Sequence, residues 1–135
     1  MIEITREPID IEEVVSRVRK SANGAVVTFA GTVRDNSEGK RVLYLEYDAY
    51  PEMAEKKLGE IAREIQARWG TKDVAISHRI GRLELGEISV VIAVGSPHRQ
   101  EAFQACQYAI DHIKEMVPIW KKEFYQDGSA WIGHG

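Results

Sequence analysis

The stretch Ile88-Ser89-Val90-Val91-Ile92-Ala93-Val94-Gly95-Ser96-Pro97-His98-Arg99 decides the fold class of this chain. Ile88 to Val94 is an apolar run rich in β-branched residues, the pattern of a strand covered on both faces and therefore central in its sheet. Ser96 then offers an N-cap and Pro97 a first helical position. Phe103, Cys106, Ile110, Ile113 and Val117 follow at steps of three or four until Pro118 stops the helix.

Working outward, Val74, Ile76, His78 and Ile80 alternate as one half-buried strand. Before it, Pro51 opens a helix in which Ala54, Leu58, Ile61, Ile65 and Trp69 form one apolar stripe as far as Gly70. Ala25 to Arg34 is β-branched and aromatic, and the polar segment 35–40 leads into Val42 to Ala49, which predicts a hairpin with a long loop. A short strand around Ile2 and Ile4 precedes a helix capped by Asp10, with Glu13 three residues on. Ile11, Val14, Val15 and Val18 give that helix an apolar face to about Lys20, and Asn23-Gly24 ends it. At the other end, Ile119 to Tyr125 and Ser129 to Ile132, joined by Gln126-Asp127-Gly128, predict a closing hairpin.

About three helices and six or seven strands without a regular βαβ repeat predict an α+β fold, a two-layer arrangement around a mixed sheet. With 135 residues, 44% hydrophobic and 29% charged, a single domain over residues 1–135 is expected. A formal charge of −3 gives no global reason to bind nucleic acid or an anionic membrane. Neither a signal peptide nor a transmembrane helix is evident, and the lone Cys106 excludes an internal disulfide, so a reducing, cytoplasmic setting is expected.

Two local features point to chemistry. Gly95-Ser96-Pro97-His98-Arg99 places two cationic or proton-carrying side chains in the first turn of a helix, where free N–H groups already favour an anion, so a phosphate or carboxylate ligand fits. Against this stands the ordinary alternative that both side chains point to solvent. Near the end, Lys114, Lys121 and Lys122 surround Val117-Pro118-Ile119-Trp120 and can bring ammonium groups into one cleft. An ammonium there can hold an anion or, with a lowered pKa, move protons; equally, Lys114 can complement a helix dipole and the Lys121-Lys122 pair can be solvated.

Arg34 either projects into a site or caps a strand end. Cys106 lies on an apolar helical stripe and reads as a buried thiol without chemistry. The four histidines show no metal-binding pair, so neither a metal nor a cofactor is expected, and His78 reads as a core histidine. No nucleophile elbow, P-loop or dinucleotide fingerprint occurs.

Gly24 to Arg34, His78-Arg79-Ile80-Gly81, Ser96 to Arg99 and Val117 to Glu123, in this order, resemble the large, catalytic subunit of molybdopterin synthase, as does Tyr47 to Met53 ahead of an amphipathic helix. The resemblance covers nearly the whole chain and implies a dimer-forming, hammerhead-like α+β fold. It implies a sulfurtransferase that converts cyclic pyranopterin monophosphate to molybdopterin by placing two sulfurs as a dithiolene. The donor it implies is a small ubiquitin-like partner whose C-terminal Gly-Gly thiocarboxylate enters the pocket, within a heterotetramer built on a central homodimer of large subunits. This chain ends Ile132-Gly133-His134-Gly135, so it is not expected to be the carrier itself.

Carried over by position, the resemblance makes Lys114 and Lys121 the catalytic lysines. It extends the substrate-binding set over Thr32, Val33, Arg34, His98, Arg99, Lys114, Lys121, Lys122 and Glu123. Strand alternation sets Lys121 with Ile119 and Glu123, and Lys122 with Trp120 and Phe124, so the two lysines face opposite ways; only the resemblance favours Lys121. A non-catalytic dimeric scaffold holding a phosphate ligand is the second reading, and RNA binding the third, although net −3 argues against it.

Overall fold

The computed structural model describes residues 1–132; His134, one of the four histidines weighed above, lies outside the described residues. In chain order the elements are β1 (Ile2–Thr5), α1 (Ile11–Ser16), β2 (Ala25–Thr32), β3 (Asn36–Ser37), β4 (Lys40–Ala49) and α2 (Pro51–Trp69). They continue with β5 (Asp73–Arg79), β6 (Gly81–Glu84), β7 (Ile88–Ser96), α3 (Arg99–Met116), β8 (Ile119–Tyr125) and β9 (Gly128–Ile132). The expected α+β class holds, with three helices among the described residues. The strands among the described residues number nine against the six or seven expected, the additions being the short β3 and β6, and they form two sheets of four and five, the first of them mixed.

The first sheet has the order β1-β5-β7-β2, with β1 parallel to β5 and the other pairs antiparallel. β7 is central and covered on both faces, as its composition demands. Val90, Ile92 and Val94 enter the main core with residues of α2 and α3, whereas Val91 and Ala93 meet Val14 and Val18 on the opposite side. β5 is likewise buried from Val74 to His78, correcting the half-buried expectation, because the α1 segment covers the face that alternation alone would leave wet. In the second sheet β4 pairs antiparallel with β8, β6 and β3, and β8 pairs with β9.

The predicted hairpin between β2 and β4 does not form. β2 pairs with β7 from Ala25↔Ser96 to Thr32↔Ile88, and its register shifts between Gly31 and Thr32, where the chain leaves the first sheet. The polar segment closes only the tiny hairpin Asn36↔Arg41 and Ser37↔Lys40, with Glu38 (φ 50) and Gly39 (φ 79) both left-handed at its tip. β4 thus starts in the other sheet. The β8–β9 hairpin forms as predicted, closing at Tyr125↔Gly128.

The helices follow their caps. Tyr50 and Pro51 open α2, and Gly70 at φ 69 closes it in the left-handed conformation. Asp10 accepts a hydrogen bond from the Glu12 backbone N–H at 3.0 Å, but α1 ends at Ser16, short of Lys20. Helix α3 starts at Arg99 with His98 as N-cap, two residues later than predicted, because Ser96 remains paired to Ala25 as the last residue of β7. Its buried face is Ala102, Ala105, Cys106, Ala109 and Ile113, whereas Phe103 is 61% exposed. These alanines, weak in any hydrophobic pattern, let α3 lie close against the sheet. No helix among the described residues is long and apolar enough to cross a membrane.

Candidate active site

Where the two sheets meet the end of α3, a cavity of about 380 Å3 opens. Phe29 to Thr32 of β2, Val33 and Arg34 beyond it, Leu45 and Tyr47 of β4, and His78 of β5 contribute to its wall. Ser89 and Val90 of β7, Ile110, Ile113 and Lys114 of α3, and Lys121 and Glu123 of β8 complete it. The strand alternation read from sequence is therefore correct. Lys121 and Glu123 share the cavity face, while the Lys122 ammonium lies over the rings of Phe124 and Trp131, each at 5.3 Å, on the opposite face.

Lys114 stands in the last turn of α3, where a cation complements the helix dipole. The Lys121 Nζ lies 4.0 Å from Glu123 Oε2, and the Lys121 side chain is 20% exposed against 4% for Glu123. Burial holds the Lys121 ammonium below the usual lysine range; Glu123 opposes this, and the like charges of Lys114 and Arg34 reinforce it. Glu123 also accepts a 2.8 Å hydrogen bond from the Tyr125 hydroxyl, which fixes its carboxylate. A half-buried lysine with two cationic neighbours can bind an anion and exchange a proton with what it binds.

His98 and Arg99 lie elsewhere. They line a separate depression with Gly24, Ala25, Pro97 and Gln100, at the Ala25 end of β2, whereas the cavity is at its Thr32 end. Seven strand steps separate these ends, about 23 Å at ~3.3 Å per residue. Within one chain, Thr32, Val33, Arg34, Lys114, Lys121 and Glu123 come together, and His98, Arg99 and Lys122 do not join them.

The sequence reading did not find the floor of the cavity, formed by Tyr47, His78 and Ser89 at 8%, 4% and 5% exposure. Its signals were a polar residue inside an apolar run and a histidine on an apolar face, each of which reads equally well as core. Burial raises the Tyr47 phenol, opposed by a hydrogen bond with Ser89 and aided by Glu123. Burial pushes His78 down to about 4, partly offset by its hydrogen bond to the Arg79 carbonyl. Cys106 is buried and its thiol pushed up to about 11, so it has no nucleophilic part.

The histidine makes stability depend on pH. Unfolded His78 takes a proton near 6.5 and the folded ring only near 4. Between those values the unfolded chain binds the extra proton. This contribution to stability is therefore complete above pH 6.5 and falls as pH drops through the window, by about 3 kcal/mol over its full width. Urea titrations on both sides of the window should show the loss in the wild type and a clearly smaller one in His78→Gln; equal losses would remove His78 as the source.

Fold and cavity define an α+β protein with a lysine- and arginine-rimmed cavity and a buried cysteine outside it. Residues 4–116 match the MoaE protein family, and the chain belongs to it. It is 55% identical over 130 residues to the molybdopterin synthase catalytic subunit of Halalkalibacterium halodurans, covering 96% of this chain and 83% of that protein. The crystal structure of molybdopterin synthase from Staphylococcus aureus superposes with a TM-score of 0.94 at 51% identity, covering 98% of this chain and 97% of that one. At 19% identity the fold is also found, with a TM-score of 0.79 over 96% of this chain and 88% of that one, in a complex of subunits 1 and 2 of molybdopterin-converting factor from Helicobacter pylori. Membership in this family of catalytic subunits gives the chain an enzymatic role in molybdopterin biosynthesis.

Proposed function

We propose that the cavity carries out the sulfur transfer itself, converting cyclic pyranopterin monophosphate to molybdopterin. The observation that carries this is Lys121, half-buried with a lowered pKa between Lys114 and Arg34 in a cavity that holds no thiol. The cyclic phosphate binds against the three cations, and the two sulfurs arrive as C-terminal thiocarboxylates of a small ubiquitin-like partner. Sulfur attacks the pterin side chain as the carbon–oxygen bond to the cyclic phosphate opens, water then cleaves the acyl–sulfur bond so that the partner leaves as its carboxylate, and Lys121 or Lys114 exchanges the protons. An external sulfur donor accounts for a chain whose one cysteine is buried.

His98 and Arg99 serve the cavity of a second copy. β2 is an edge strand of the first sheet, with Val26 and Phe29 each 37% exposed. Antiparallel pairing of two β2 edges sets the Ala25 end of one copy beside the Thr32 end of the other. This supports a homodimer at the centre of the assembly.

Mixing the purified protein anaerobically with a thiocarboxylated small partner and cyclic pyranopterin monophosphate should yield molybdopterin. A stable complex that gives no product, beside an active control enzyme, would leave a phosphate-binding scaffold as the reading.

A further inference from the structure

The cavity is divided chemically. Its rim is cationic, with Arg34 and Lys114 exposed and Lys121 partly so, while its floor carries the buried, uncharged polar groups of Tyr47, His78 and Ser89. The rim suits a phosphate. The floor suits an uncharged heterocycle bearing N–H donors.

Within the floor the chemistry of His78 is set by its neighbours. Its Nδ1 lies 2.9 Å from the Arg79 carbonyl oxygen, which can only accept, so Nδ1 carries the hydrogen. In the neutral ring Nε2 is then a bare acceptor. Among the described residues Nε2 has no hydrogen-bond partner, and the sealed, unpartnered side-chain atom is Glu101 Oε2, so Nε2 opens on the cavity. The ring is held on the buried strand β5, and the Tyr47 ring meets it edge-on at 5.0 Å and 80°. A fixed acceptor facing a cavity binds a donor well and rejects a ligand that lacks one.

We propose that His78 Nε2 accepts a hydrogen bond from an N–H of the substrate's heterocycle, making His78 the contact that selects the pterin while the rim holds its phosphate. This rests on the sulfur-transfer reading above. Asparagine at this position keeps a donor near Nδ1 for the Arg79 carbonyl but supplies no acceptor at the place of Nε2; glutamine puts an oxygen near that place.

The test is anaerobic calorimetry on the full chain with cyclic pyranopterin monophosphate and, separately, inorganic phosphate. His78→Asn should weaken pterin binding about tenfold, His78→Gln should restore most of it, and phosphate should bind all three proteins alike. Pterin binding by His78→Asn equal to wild type would sink the assignment. So would glutamine performing no better than asparagine, or phosphate affinity falling in step with pterin affinity. Wild type that binds phosphate but no pterin would instead overturn the substrate reading, and the role of His78 with it.

Discussion

Lys121→Ala should lower molybdopterin formation about a hundred- to ten-thousand-fold, the range expected when a positioned proton-transfer group is removed. Lysine carries both a charge and a transferable proton, so two substitutions separate the roles. Lys121→Arg keeps the cation but holds its proton far too tightly to give it up near neutrality. It should retain most substrate affinity while turnover stays low; near-normal turnover by the arginine variant would reduce Lys121 to an anion-binding charge. Lys122→Ala, which removes an ammonium lying over Phe124 and Trp131 on the other face, should stay within a few-fold of wild type.

The surroundings of Lys121 give the pH profile a sign. Removing the like charge in Lys114→Met favours the ammonium of Lys121 and should move the associated midpoint of turnover to higher pH. Removing the opposite charge in Glu123→Gln should move it lower. Shifts of the same sign in both variants would disconnect the profile from Lys121.

Gly95→Ala should be the most destabilising of small substitutions in this chain, costing about 3 kcal/mol or preventing folding. Gly95 sits in β7 between Val26 and Asp73, and the segment after α1 crosses directly over it. An added Cβ would meet the Val18 carbonyl oxygen and come within 2.6 Å of Asn23 Nδ2. Neither can yield easily. Asn23 Nδ2 bridges Val18 O at 3.0 Å and Asp73 Oδ2 at 2.8 Å, and Val18 is buried at 1% exposure. Gly59→Ala is the contrast: in the middle of α2 its new methyl would meet only the Arg63 Nη1 at 3.5 Å, so it should stabilise by about 0.5 to 1 kcal/mol. Denaturant midpoints for the two variants decide the matter, and a Gly95→Ala protein as stable as wild type would show that the crossing segment is free to move.

Much of this was legible in the residues. Pro51 and Gly70 bracket α2 because one fits a helix start and the other accepts the left-handed turn at its end. Ile88 to Val94 announced a strand covered on both sides, and two-residue alternation correctly set Lys121 and Lys122 on opposite faces of β8. Less legible was the start of α3, where Ser96 had the right chemistry for a cap but is held in β7 by its pairing with Ala25. The buried face of α3 was misread towards Phe103 because alanine contributes little to a hydrophobic pattern even where it permits the closest approach.

Periodicity, caps and burial act over a few neighbouring residues, so the three helices, seven of the strands, the lysine that shares a face with Glu123 and the burial of the cysteine are legible in the residues, whereas the short strands β3 and β6 are not. Long-range packing decided that β2 pairs with β7 and β4 with β8. It also decided that Arg34, Lys114 and Lys121 converge over a floor of Tyr47, His78 and Ser89, and that His98 and Arg99 stand at the far end of β2. Partner choice between strands is settled by which faces can be buried together across the whole chain, and residues far apart in sequence leave no local pattern of that choice.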